Sequence, residues 1–154
     1  MKNQEIARIF STMADILEFK KENVFKIRAY RRAALNIEGL SGSVEELSGE
    51  ELLEIPGVGK ELAAKIGEYL QTGRMHAFEK MKGEVPQGLL TLLAVPGLGP
   101  KTARLLHEQL HVTNLEELEQ AAREHRLSGM PGISGKTEEN ILKGIDTSRR
   151  GKEQ

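Results

Sequence analysis

Cysteine is absent from the 154 residues, and so is tryptophan. Without cysteine there is no disulfide framework, no thiolate metal site and no cysteine nucleophile. Aromatic residues make up only 4%, so a core must be assembled from Leu, Ile, Val and Ala. Period-two alternation of apolar residues is missing, and the β-branched residues are scattered, which leaves no convincing strand. No apolar run approaches ~18 residues and no apolar signal core follows Met1, which argues against membrane spanning and secretion. Net charge is also nearly missing, at −1, so the protein is not coated in positive charge.

The charge is nonetheless segregated. Lys20, Lys21, Lys26, Arg28, Arg31 and Arg32 face one acid, Glu22, within a short stretch, whereas residues 45–54 hold acids and no base. A bipolar surface of this kind can bind nucleic acid on one face without a high overall pI.

Helical spacing dominates what is present. Ile6, Ile9, Phe10, Met13, Ile16 and Leu17 predict a helix over 4–19, with Asn3 as its N-cap. Ile27, Tyr30, Ala34 and Ile37 predict another over 24–37, ended by Gly39. Ser43 with Glu46, Ser48 with Glu51, and Thr113 with Glu116 have capping-box spacing. Further helices are expected at 49–54, 60–71, 74–82, 87–93, 100–110, 113–124 and 136–145, followed by a frayed polar tail. Gly83-Glu84-Val85-Pro86 is the best boundary. The expected fold is all-α, with two small helical subdomains at 1–82 and 83–147 and a tail at 148–154.

One form recurs three times: Ile55-Pro56-Gly57-Val58-Gly59-Lys60, Val95-Pro96-Gly97-Leu98-Gly99-Pro100, and, altered, Met130-Pro131-Gly132-Ile133-Ser134-Gly135. Proline presets φ for the second position of a tight turn, and the glycine after it can take positive φ. The second glycine leaves backbone N–H groups uncovered at a helix N-terminus, where the dipole favours an anion. Lys60 and Lys101 stand just beyond the glycines. A DNA phosphate suits such a site, with Gly57, Gly59, Lys60, Gly97, Gly99, Lys101 and Thr102 as binding residues. In the third copy Ser134 replaces the second glycine, and Glu138 and Glu139 are expected to repel phosphate. A tight helix–helix turn with no ligand is the competing explanation of the pattern. No nucleotide-binding Gly-Lys-Ser/Thr loop exists, and His107 and His111 lack a third metal ligand.

With these motifs in hand the chain resembles the N-terminal part of a bacterial family X DNA polymerase, similar to polymerase beta. The resemblance rests on Phe25-Lys26-Ile27-Arg28-Ala29-Tyr30-Arg31-Arg32-Ala33-Ala34, on the first two hairpins, and on the run from Lys65 to Gly73. It implies a lyase-type domain, then a fingers-type subdomain, built from helix-hairpin-helix units. It further implies 5′-deoxyribose-phosphate lyase chemistry through a Schiff base at Lys65, with Lys26, Tyr30, Arg31 and Lys60 around the phosphate. A monovalent cation, Na⁺ or K⁺, is implied at the backbone carbonyls of Leu53, Ile55 and Val58, and of Leu93, Val95 and Leu98. No organic cofactor is implied. The implied partner is gapped, nicked or primer–template DNA, bound by a monomer in the bacterial cytoplasm.

The family's palm, with paired Asp residues for Mg²⁺, has no counterpart here, since Asp146 is the one Asp after Arg126. The chain is therefore expected to be a fragment or a free-standing module, to which a palm and a phosphoesterase domain would belong in the full protein. Phe25 stands where vertebrate members have His, and Glu61 where they have a phosphate-binding Lys. Glu61 lies four residues before Lys65, a spacing that favours an ion pair and a protonated amine. A non-catalytic helix-hairpin-helix module, and more distantly a protein-binding helical domain, are the alternatives.

Overall fold

A computed structural model describes residues 2–153, and the side chains of residues 2–150. The described residues are helical throughout, without a strand. They form two compact units, divided between Glu84 and Val85. No described helix is long and apolar enough to cross a membrane.

In the first unit α1 (Lys2–Phe19) and α2 (Val24–Glu38) pack along their lengths. The apolar stripe of α1 is fully enclosed at Ile6, Phe10, Met13 and Ile16. Tyr30 of α2 meets Phe10 edge-on, with ring centroids 5.6 Å apart. The start of α2 is fixed by Asn23, whose side chain accepts the Phe25 N–H at 2.8 Å. Asn3 is not the N-cap of α1. It is buried within the helix, where its Nδ2 donates to the Gly42 carbonyl at 2.7 Å and its Oδ1 accepts the Val44 N–H at 2.8 Å. That side chain pins the 3-10 turn Val44–Glu46 onto α1. Ser43 caps this turn through the Glu45 N–H and forms no complete box.

The Ser48–Glu51 capping box forms with both reciprocal bonds and starts α3 (Gly49–Leu52). The first hairpin leads into α4 (Lys60–Thr72), which ends at Gly73 with φ 77°. Leu62 and Ile66 seat α4 in the core, and the Tyr69 hydroxyl donates to Glu5 of α1 at 2.8 Å. α5 (His76–Lys82) then packs against α1.

The second unit contains α6 (Leu89–Leu93), α7 (Pro100–Leu110), α8 (Leu115–Arg123) and α9 (Gly135–Glu153). Leu92, Leu106, Leu118, Leu127, Ile141 and Ile145 form the centre of its core. The expected Thr113–Glu116 box does not form, because Asn114 and not Thr113 is the N-cap of α8. Asn114 accepts the Glu117 N–H at 2.8 Å, and the Glu117 carboxylate reaches back to the Thr113 N–H at 3.0 Å.

The expected frayed tail is helical to Glu153. Arg149 reaches Glu119 of α8 at 2.8 Å, so the segment has a partner that local sequence does not reveal. Gly144, in the middle of α9, lets the helix close on the second hairpin. A Cβ there would stand 2.6 Å from the Pro96 carbonyl oxygen.

Candidate phosphate-binding hairpins

All three hairpins build the same turn. The N–H of Val58 donates to the Ile55 carbonyl at 3.0 Å, that of Leu98 to Val95 at 3.1 Å, and that of Ile133 to Met130 at 3.2 Å. Gly57, Gly97 and Gly132 occupy the left-handed region at φ 88°, 88° and 84°. This is the type II arrangement that Pro-Gly favours. The residues after the turn glycine, Val58, Leu98 and Ile133, are buried and anchor each turn.

The hairpins part company one residue later. Gly59 and Gly99 cap α4 and α7 with φ −93° and no side-chain capping bond. Any residue adopts that backbone, and a Cβ at either position would meet nothing within 4 Å. Nothing inside the fold requires these two glycines. Their effect is to leave the first-turn N–H groups open to solvent: those of Lys60 and Glu61 in α4, and of Lys101 and Thr102 in α7, where Pro100 has none. At the third hairpin Ser134 takes this place. Its Oγ accepts the Thr137 N–H at 3.1 Å, filling the cap from within.

Glu138 does not face outward to repel phosphate, as its position in the sequence implies. Its side chain is 4% exposed, lies 2.8 Å from Nδ1 of His125 and accepts the Ser128 N–H at 2.9 Å. Burial works against its charge, but His125 and the Ser128 N–H outweigh burial and hold the carboxyl below its ordinary pKa. Glu138 thus ties α9 to the loop before the third hairpin.

The first two hairpins also leave carbonyls open. Among the described residues the turn bonds use Ile55 and Val95, whereas the carbonyls of Leu53 and Val58, and of Leu93 and Leu98, receive no backbone N–H outside the helices. Each hairpin therefore presents hard oxygen donors of the type that alkali cations accept.

The other sequence-derived candidates do not share one environment. Lys65 is half-buried on α4, and among the described residues it makes no hydrogen bond or ion pair. The expected Glu61–Lys65 pair is not formed. Glu61 instead lies close enough to Tyr30 to matter: burial first, then the Glu61 charge, raises the pKa of the Tyr30 hydroxyl. Tyr30 itself is 3% exposed.

Arg31 turns to α1, where its Nη2 lies 3.0 Å from Asp15 and 2.7 Å from Glu18. Burial disfavours the guanidinium charge, and the two carboxylates more than restore it, so its pKa is raised. For Asp15 burial wins, and its pKa is raised as well. Lys26, Lys60 and Lys101 are exposed without an ion pair among the described residues.

One neighbour of the first hairpin escaped the sequence. Arg32 lies against Gly57, with its Cγ 3.0 Å from the position of a Cβ there. Asn36, one turn on, donates to the Pro56 carbonyl at 2.7 Å. The clue was available in helical spacing, since residues 32, 33 and 36 share one face, but the hairpin that meets this face lies some 20 residues away.

Comparison with known proteins agrees with the repeated turns. Residues 1–75 match the model of a Helix-hairpin-helix domain, and residues 89–147 that of a SAM-like Helix-hairpin-helix tandem. Over 145 residues, 94% of its length, the chain is 34% identical to the DNA polymerase/3'-5' exonuclease PolX of Bacillus subtilis (strain 168). The matched stretch spans 25% of that protein.

Proposed function

From the premise that the chain belongs to the helix-hairpin-helix proteins and is related to part of a family X DNA polymerase, we propose that it binds the sugar-phosphate backbone of gapped or nicked DNA in repair. The observation that carries this reading is the pair of open caps at Gly59 and Gly99, where the fold itself has no need of glycine. Phosphate oxygens accept from the first-turn N–H groups of α4 and α7, and Lys60 and Lys101 add charge beside them. Backbone contacts of this kind carry no base preference.

A monovalent cation, Na⁺ or K⁺, would be held by the carbonyls of Leu53, Ile55 and Val58, and of Leu93, Val95 and Leu98, with Ile55 and Val95 also accepting the turn bonds. Bound there, the cation would bring positive charge to a phosphate at the hairpin.

The first unit is a lyase-type domain and the second a fingers-type subdomain in this reading. The palm that would hold Mg²⁺ belongs to the remaining length of such a polymerase. Salt titration of binding to a one-nucleotide-gapped duplex carrying a 5′-phosphate is the test. The logarithm of affinity should fall linearly with the logarithm of salt concentration, with gapped DNA bound more tightly than intact duplex. Salt-independent binding, or equal affinity for both DNAs at every salt concentration, contradicts it.

Lyase chemistry at Lys65 extends the same reading. In this chemistry a neutral Lys65 amine attacks the aldehyde of an incised abasic sugar and water leaves; the C2′ proton is then lost to solvent as the C3′–O bond breaks and the phosphate departs, and hydrolysis of the imine returns the amine. Lys65 is half-buried on α4 and makes no ion pair with Glu61, which leaves its amine without a carboxylate partner among the described residues. Borohydride should trap the protein on the incised abasic substrate, and Lys65→Ala should abolish the adduct; undiminished trapping in that variant rules Lys65 out. A non-catalytic DNA-binding module is the second reading. It is favoured by the engagement of Arg31 with Asp15 and Glu18 and by the burial of Tyr30.

A further inference from the structure

The basic stretch of α2 divides its cations between two tasks. Arg31 is taken by Asp15 and Glu18 of α1, and Lys20, before the helix, is taken by Glu22 and Glu84. Arg28 and Arg32 are both exposed, and among the described residues neither makes an ion pair or side-chain hydrogen bond. They are four residues apart, so they lie on one face about 6 Å apart along the helix axis.

That face begins at Phe25, 78% exposed, and ends at Leu35, 71% exposed. These are the two most exposed large apolar side chains described. Positions 25, 28, 32 and 35 follow helical spacing and form a single stripe, apolar at the ends and doubly cationic in the middle. The stripe runs into the first hairpin, since the stem of Arg32 lies against Gly57 and Asn36 holds the Pro56 carbonyl.

We propose that the outward face of α2 carries a DNA strand onward from the first hairpin, with Arg28 and Arg32 each holding a backbone phosphate. This deepens the reading of the first hairpin as a phosphate site and rests on it. Charge complementarity selects the occupant. Two adjacent guanidiniums without acids match a polyanion with regularly spaced charges, and a guanidinium fork holds phosphate oxygens in pairs. Phe25 and Leu35 give the sugars and base faces an apolar surface at either end. Glu61, the acid in the first turn of α4, weakens the first hairpin as an anion site, whereas α7 has no such acid; Arg32, whose stem lies against Gly57, brings a positive charge to that same hairpin.

The test is the salt dependence of binding to the gapped, 5′-phosphorylated duplex, using the whole chain. Each phosphate contact contributes about 0.9 to the slope on B-DNA, or about 0.7 on a single strand. Arg28→Gln and Arg32→Gln should each lower the slope by roughly that amount, and the double variant by about twice as much. Arg74→Gln, which removes an arginine already paired with Glu79 at 2.9 Å, should leave the slope unchanged.

If Arg32→Gln disturbs the hairpin it touches, Arg28→Gln carries the test, because none of the hairpin contacts described above involves Arg28. A double variant that folds and keeps the wild-type slope overturns the proposal. If Gly59→Ser still lowers affinity in that case, the hairpin reading stands and α2 is covered by something other than DNA. If Gly59→Ser changes nothing either, both fail together.

Discussion

The first two hairpins and the third have the same turn and opposite helix caps. In each, proline and a left-handed glycine close a bond of 3.0 to 3.2 Å. At Gly59 and Gly99 the following helix begins uncapped, whereas at Ser134 a hydroxyl closes it. The turn and the open helix cap are therefore separable properties. Pro-Gly specifies the turn, and the residue two places after the turn glycine decides whether the helix start is left open or closed from within.

The comparison can be broken first at the turn glycines. Gly57 is both left-handed and crowded, with the Ala33 nitrogen 3.3 Å from a Cβ position, while Gly97 and Gly132 are left-handed in open space. Gly57→Ala should cost about 2–4 kcal/mol in urea unfolding, combining left-handed strain with packing. Gly97→Ala and Gly132→Ala should cost about 1–2 kcal/mol each, from strain alone. Equal losses at all three positions would mean that the contact of α2 with the first hairpin contributes nothing.

A smaller effect separates the third hairpin from the other two through acid. The folded-state pKa of Glu138 is lowered, so its contribution is fully present above the ordinary glutamate value of 4.5 and is lost as pH falls through the lowered value. Glu138→Gln should remove roughly 1 kcal/mol at neutral pH, as the buried carboxylate that accepts the Ser128 N–H and faces the exposed His125 ring loses its charge. It should also flatten the loss of melting temperature on acidification. An unchanged acid slope in the variant would assign the acid sensitivity to the other glutamates with lowered pKa values, Glu5, Glu51, Glu79, Glu117 and Glu119.

Much of this architecture was legible in the sequence because its causes are local. Apolar spacing defined α1, α2 and α4, and Ser48 with Glu51 formed the expected box. Pro-Gly set all three turns. What the sequence hid depends on distant partners. Asn3 has the composition of a cap, yet its partners Gly42 and Val44 are about 40 residues away. Glu138 has the composition of a solvated acid, yet it turns inward to His125 and Ser128. Arg31 and Arg32 are indistinguishable neighbours in a basic run. A rotation of one residue around α2 sends the first to α1 and the second to the hairpin.

The cap exchange tests the central claim most directly. Gly59→Ser and Gly99→Ser fit the backbone without strain or contact, so the fold should be kept and stability unchanged or slightly raised. With both helix starts closed from within, affinity for the gapped duplex should fall about three- to thirty-fold, given roughly 0.3–1 kcal/mol for each anion at a helix N-terminus. Ser134→Gly, the reverse exchange, should not weaken binding. Unchanged affinity in the double serine variant, with its fold intact, would contradict the claim that the open caps are where DNA phosphate binds.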